Sequence, residues 1–200
     1  MSRAYCQNCH RPEVSCICDF ISPVDNDVRV VVLQHPSEVN HAKGTLTLLK
    51  KSLRQCQVIV GETFDEDPIF YDLLCENQGR IALLYPSEQA TSLSMQEQAL
   101  KVSDVSCLVI LDATWKKAYR MYMLNKHLHD IPHICLPDGI KGQYSIRSTR
   151  KANALSTLEA CCYSLGILEQ SSAKYQPLIE NFVKFNQFQH AFKKSGINPT

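Results

Sequence analysis

Short apolar runs alternate with helical spacing along most of the chain. Consecutive apolar residues predict strands over 28–34, 57–60, 80–85, 107–111 and 133–136. Apolar residues three and four positions apart predict helices over 44–54, 68–76, 94–102, 114–128, 152–165 and 175–192. This alternation predicts an α/β fold with a mostly parallel sheet and helices on both faces.

The predicted strand over 107–111 is followed by three side chains of chemical interest. They are Asp112, Thr114 and Trp115, the only tryptophan of the chain. Ligands of parallel sheets gather at the carboxyl ends of strands, so the sequence predicts a catalytic site here. The alternative is structural: Asp112 or Thr114 caps the next helix, and Trp115 packs under it.

The first residues of the chain are rich in cysteine. Cys6, Cys9, Cys16 and Cys18 form a C-x2-C-x6-C-x-C pattern, which predicts a structural Zn²⁺ site with four thiolate ligands. The alternatives are His10 in place of one cysteine, two disulfides, or four free thiols. We expect residues 1–22 to form this zinc-binding segment and residues 23–200 to form the catalytic domain.

Overall charge gives little indication of a partner. The net charge is +1, but residues 116–151 hold eight Lys or Arg and two acids beside the predicted site. This favours a local surface for a phosphate backbone, and the alternative is a solvated face. The expected phosphate contacts are Lys116, Lys117, Arg120, Arg150 and Lys151. No apolar run is long enough for a membrane helix and the start has no apolar signal region, so we expect a cytoplasmic protein without membrane contact.

Several sequence blocks resemble those of the DTW-domain family. DATW at 112–115 resembles its D-x-T-W signature. The other matching blocks are the N-terminal cysteines, HPSE at 35–38 with Gly44 and Thr45, LYPS at 84–87, Arg147, and LSTLEA at 155–160. Similar members are tRNA-uridine aminocarboxypropyltransferases, which move the 3-amino-3-carboxypropyl group of S-adenosylmethionine onto uridine. The resemblance also implies a fold similar to the knotted SPOUT methyltransferases.

The resemblance implies roles for the predicted site. Asp112 is expected to accept or orient the proton on uracil N3, and Trp115 to stack on the base or contact the cofactor. No dinucleotide or triphosphate glycine motif is present, which fits a nucleoside cofactor without phosphates. The expected cofactor contacts are Thr45, Pro86, Ser87, Leu111, Leu136, Gly139, Tyr144 and Arg147.

Other functions fit parts of the same pattern. A SPOUT-like RNA methyltransferase would release S-adenosylhomocysteine in place of methylthioadenosine. A zinc-bearing RNA-binding module would perform no chemistry. The expected partner is tRNA, DNA is not expected, and we expect a monomer.

Overall fold

The computed structural model describes residues 4–39, 45–93, 104–140 and 155–194. Within these ranges, six strands form one sheet in the order β2-β1-β5-β3-β6-β4. Every strand pair in the sheet is parallel. The strands are β1 (Arg29–Gln34), β2 (Cys56–Val60), β3 (Ile81–Leu84), β4 (Thr91–Ser92), β5 (Cys107–Asp112) and β6 (His133–Cys135).

Six α-helices lie in the same ranges. They are α1 (Thr45–Ser52), α2 (Pro68–Glu76), α3 (Trp115–Leu124), α4 (His127–Asp130), α5 (Thr157–Leu168) and α6 (Ser172–Lys194). Short 3₁₀ turns occur at Glu13–Ser15, Cys18–Phe20 and Pro36–Glu38. None of the helices in the described ranges has the length and apolar character needed to cross a membrane.

The sheet carries one core on each face. Successive side chains of a strand point to opposite faces, so Val30 and Val32 of β1 enter one core, while Val31 and Leu33 enter the other. The first core is completed by residues of α1, α5 and α6 and by Ile17 of the N-terminal segment. The second is completed by residues of α2, α3 and α4. The predicted parallel sheet with helices on both faces is confirmed.

Two predicted helices differ from the structure for identifiable reasons. The helix predicted over 152–165 begins as α5 only after Ser156, which caps it. The helix predicted over 114–128 is two helices, α3 and α4, because buried Asn125 leaves the helical conformation. The Asn125 side chain accepts a hydrogen bond from the Phe64 amide and donates to the Glu62 and Met121 carbonyls, tying α3 to the loop after β2.

Other predictions have mixed outcomes. The helix over 68–76 is confirmed as α2, and the strand over 107–111 is confirmed as β5, one residue longer than predicted. Strand β4 was not predicted, because two exposed polar residues give no apolar signal. The helix predicted over 94–102 lies outside the described residues.

Since all strands are parallel, the loops after β1, β3, β5 and β6 lie at one edge of the sheet.

Candidate active site

Asp112 ends β5 at the carboxyl edge of the sheet, where two neighbours fix its side chain. Gln34, its register partner in β1, donates from Nε2 to Asp112 Oδ2 over 3.0 Å. Thr157 donates from Oγ1 to Asp112 Oδ1 over 2.7 Å. The half-buried carboxylate is therefore oriented through both oxygens. Each oxygen keeps a lone pair for a further donor.

The position of Thr157 follows from the way α5 begins. The Ser156 hydroxyl accepts from the Glu159 amide over 3.2 Å, and the Glu159 carboxylate accepts from the Ser156 amide over 2.9 Å. This reciprocal capping box satisfies two helix-end amides and fixes the first turn. Thr157 is the first residue of that turn, so its hydroxyl is held against Asp112.

Neither candidate side chain caps α3. Thr114 occupies the N-cap position without a side-chain hydrogen bond to the helix, and the Asp112 carboxylate bonds to β1 and α5 instead. Trp115 is 55% exposed, so it does not pack under the helix. The alternative in which Asp112 or Thr114 caps α3 and Trp115 packs under it is therefore wrong.

His35 and Glu62 form a polar cluster next to Asp112. The His35 amide donates to the Asp112 carbonyl over 3.1 Å, and His35 Nδ1 accepts from the Ser37 amide over 3.1 Å. Because Nδ1 accepts, the proton of the neutral ring is on Nε2, which lies 3.4 Å from Glu62 Oε1. The loops after β1 and β2 are thereby joined beside the site.

Two cations of α3 join this cluster. Lys117 Nζ lies 3.3 Å from Glu38 Oε1, and Arg120 Nε lies 2.8 Å from Glu62 Oε1. Both residues were predicted to contact RNA phosphate, and in the structure both form ion pairs with loop carboxylates. Lys116 is exposed and forms no ion pair with any other described residue.

Ser87, a predicted cofactor contact, is held by a buried histidine. His133 Nε2 lies 2.8 Å from the Leu128 carbonyl, and its Nδ1 lies 2.7 Å from Ser87 Oγ. A carbonyl can only accept, so Nε2 carries the proton and Nδ1 of the neutral ring accepts from the Ser87 hydroxyl. The Ser87 oxygen thus remains an acceptor for ligand donors.

The structure gathers most of the other predicted cofactor contacts at the same edge. Pro86, Leu111 and Leu136 follow or end β3, β5 and β6, which are neighbours in the sheet. Thr45 begins α1, the crossover helix after β1, and so lies toward this edge. Gly139 has a φ of +90°, so its turn itself requires glycine. Tyr144, Arg147, Arg150 and Lys151 lie outside the described residues.

The four N-terminal cysteines come together as predicted. Their sulfurs all lie within 4.8 Å of one another, with Cys6 to Cys18 at 3.6 Å and Cys9 to Cys16 at 3.7 Å. A tetrahedron with Zn–S bonds of 2.3 Å has S–S edges of about 3.8 Å, so the donor set fits zinc. No disulfide joins these cysteines, and both sulfur–sulfur distances are far beyond disulfide bond length, so the disulfide alternative is wrong.

The sequence analysis missed two residues of the site, Gln34 and Thr157. Gln34 was read only as the end of a predicted strand, although a polar residue ending an apolar run beside β5 could have suggested a role. For Thr157 the signal was the S-x-x-E pattern of Ser156 and Glu159, which marks a capped helix start. That pattern would also have corrected the start of α5.

Comparisons with known proteins agree with the resemblance. The tRNA-uridine aminocarboxypropyltransferase 2 of Macaca fascicularis is 31% identical over 195 residues, covering 94% of this chain and 64% of the relative. The mouse protein of that name is 28% identical over 194 residues, with the same coverage. The Drosophila melanogaster protein is 30% identical over 182 residues, covering 88% of this chain and 71% of the relative.

The chain thus spans about two thirds of the length of the mammalian relatives, 64% in each case. No solved structure matches it. The family model described as the DTW domain matches residues 3–190, which is nearly the whole chain. The chain therefore belongs to the DTW domain family.

Proposed function

We propose that this chain transfers the 3-amino-3-carboxypropyl group of S-adenosylmethionine to N3 of a uridine in tRNA, releasing methylthioadenosine. The proposal is supported by relatives named tRNA-uridine aminocarboxypropyltransferase 2, which are 28% to 31% identical to this chain. The observation that carries it is the Asp112 carboxylate, fixed through both oxygens at the strand end of the DATW signature, beside an exposed tryptophan.

Asp112 acts on the proton of uracil N3. This nitrogen is protonated at neutral pH and is a poor nucleophile until the proton leaves. Gln34 and Thr157 hold the carboxylate so that a lone pair of either oxygen can accept the N3–H, which is the geometry that a general base requires. A carboxylate held this way loses little orientational freedom when the base binds.

Trp115 and Thr114 position the uridine next to Asp112. The exposed indole offers a face on which a splayed base can stack, as in other sites that recognise single-stranded RNA. The Thr114 hydroxyl does not cap α3, which leaves it for the substrate. Lys116, Arg150 and Lys151 contact phosphates of the RNA. Lys117 and Arg120 contact phosphates as well, and each keeps its ion pair with a loop carboxylate.

Residues at the ends of β3, β5 and β6 hold the cofactor. When bound, S-adenosylmethionine supplies a sulfonium whose γ-carbon is open to attack. Ser87 offers an acceptor oxygen, because its hydroxyl proton is committed to His133. Pro86, Leu111, Leu136 and Gly139 offer apolar surface and backbone groups. We assign further cofactor contacts to Thr45 and Tyr144, and the carboxylate of the transferred arm to Arg147. Attack at the γ-carbon instead of the methyl carbon depends on how the site positions uracil N3 relative to the sulfonium.

The chain combines a zinc-binding segment with a catalytic domain. The four cysteines hold one structural zinc, and the segment of residues 1–22 gains its stability from that metal and from packing on the first core. The catalytic domain of residues 23–200 has a SPOUT-like trefoil knot, as the family resemblance implies. The protein works as a monomer in the cytoplasm.

One incubation separates the candidate functions. The chain is mixed with bulk tRNA and S-adenosylmethionine labelled in the adenosine, and the released nucleoside is identified by chromatography. Methylthioadenosine is the expected product. S-adenosylhomocysteine would identify a methyltransferase, and unchanged cofactor beside intact tRNA binding would identify a binding module; either result would overturn the proposal.

A further inference from the structure

Apolar side chains are unusually exposed on α3. Trp115, Tyr119 and Met123 follow one another at four-residue intervals with exposed fractions of 55%, 58% and 54%, and Leu124 is exposed beside them. Residues four apart lie above one another on a helix, so Trp115, Tyr119 and Met123 form one continuous surface, here called the α3 stripe. It extends over nine residues, from 115 to 123, a rise of about 12 Å, and starts three residues after Asp112.

Packing on the other side of α3 fixes the orientation of the stripe. Ala118 and Met121 are buried, and Met121 belongs to the second core. The helix cannot turn its stripe inward without bringing these residues out. A contiguous apolar surface that the fold holds in solvent, rimmed by polar residues, is typical of an interaction site.

All charged residues of α3 are cations. The helix contains Lys116, Lys117 and Arg120 and no acidic residue, and Lys126 follows it. Lys117 and Arg120 are paired with Glu38 and Glu62. The exposed ammonium groups of Lys116 and Lys126, near the two ends of the stripe, form no ion pair within the described ranges.

A stack of rings borders the stripe and stiffens the helix. Tyr122 stacks on Tyr85, at the end of β3, with 4.7 Å between centroids, and on His129 of α4 with 4.1 Å. His129 Nε2 also donates to the Tyr122 carbonyl over 2.9 Å. The stripe is therefore carried by a helix that is pinned to the sheet edge before any ligand arrives.

We infer that the α3 stripe binds the single-stranded RNA segment that contains the target uridine, with the uridine on Trp115, neighbouring bases on Tyr119 and Met123, and phosphates at Lys116 and Lys126. Aromatic rings interleaved with unpaired cations are the usual platform for single-stranded nucleic acid. A second copy of the chain would bring like charges together on the same face. The identity of the RNA as tRNA rests on the proposed function.

Equilibrium binding of bulk tRNA to the full chain tests this inference. Tyr119→Ala should weaken binding about ten-fold and Met123→Ala about three-fold, since each removes a surface on which a base lies. Tyr119→Phe keeps the ring and should bind like the parent. The matched control is Tyr71→Ala on α2, because Tyr71 is 55% exposed but lies on a helix without cations. It should leave the affinity unchanged.

The outcomes separate this inference from the proposed function. Parent affinity in both Tyr119→Ala and Met123→Ala would overturn the inference, even with normal methylthioadenosine release. The inference would also be overturned if Tyr119→Ala abolished self-association of the chain and left tRNA binding unchanged. The same holds if this variant lost binding to anionic vesicles and kept tRNA binding. Weakened tRNA binding in a chain that releases no methylthioadenosine would support the inference and overturn the proposed function. Unchanged melting temperatures confirm that the variants fold.

Discussion

Helices α2 and α3 lie on the same face of the sheet but are built differently. Each buries residues in the second core, and each exposes a tyrosine, Tyr71 at 55% and Tyr119 at 58%. Helix α2 begins with Pro68 after Asp67, whose carboxylate accepts from the Phe70 amide over 2.9 Å. Helix α3 begins without a side-chain cap and has lysines, but no acid, in its first turn.

This difference indicates which helix meets a ligand. A side-chain cap contributes about 1 kcal/mol to a helix, and cations near its first turn oppose the helix dipole by roughly 0.3–1 kcal/mol. Helix α2 follows the rules that stabilise a helix in water, whereas α3 departs from them next to Asp112. Departures from local rules concentrate at functional sites, so α3 is the helix expected to face an anionic substrate.

Substitution of two aspartates, one in front of each helix, should change the transfer rate very differently. Asp112→Asn removes the proton acceptor and should slow single-turnover transfer by ~100-fold or more, with partial recovery at higher pH as solvent helps to remove the N3 proton. Asp67→Asn should leave the rate unchanged, because asparagine also caps α2. Melting temperature and tRNA affinity should stay near parent in both. Equal rates for the two variants would move the chemistry away from Asp112.

Loss of the metal should affect both helices alike. Elemental analysis of the parent protein should find about one zinc per chain. Cys6→Ser or Cys16→Ser should abolish this zinc and destabilise the protein by about 3 kcal/mol, or ~6–12 °C in melting temperature. Cys75→Ser, which changes an exposed thiol of α2, is the control and should change neither quantity. A metal-free parent with undiminished stability would contradict the zinc site.

An acid placed at the second position of each helix should separate stability from binding. Lys116→Glu and Ile69→Glu each put a favourable charge in a first turn and should each raise the free energy of unfolding by roughly 0.3–1 kcal/mol. Only Lys116→Glu should weaken tRNA binding, with a log-log salt slope smaller by roughly 0.7–0.9 for the lost phosphate contact. If both variants bind tRNA like the parent, α3 has no role that α2 lacks.

The smallest effect concerns thiol labelling. Burial raises the pKa of Cys56 and of Cys107 to about 11, so near pH 8 very little of either thiol is the reactive thiolate. In the zinc-loaded protein, iodoacetamide should therefore modify exposed Cys75 on α2 first, as peptide mass spectrometry would show. The modified protein should bind tRNA with parent affinity. Loss of binding on Cys75 modification would place α2 in the interface.

The sequence predicted the backbone of the site better than its side-chain contacts. Strand β5 and the position of Asp112 follow from an apolar run that ends in a carboxylate, which is a local signal. The partners of Asp112 are remote: Gln34 is 78 residues away in sequence and Thr157 is 45. Pairing of this kind depends on strand order, which apolar periodicity does not encode.

The break between α3 and α4 shows the same limit. The apolar spacing continues across Asn125, so periodicity predicts one helix. Asn125 instead bonds to the backbone of Glu62 and Phe64, on a loop some sixty residues earlier in the chain. A tertiary contact overrides the local pattern here, and it places α4 and His129 next to α3.

We propose that tRNA binds this protein along α3, beside Asp112, and does not contact α2. Hydrogen–deuterium exchange of the full chain, with and without tRNA, tests it most directly. We expect tRNA to slow exchange in peptides covering Trp115–Leu124, above all at the first-turn amides, which lack helical hydrogen bonds. Peptides covering Pro68–Glu76 should exchange at the same rate in both samples. Protection of α2, or unchanged exchange throughout α3 at saturating tRNA, would contradict the account.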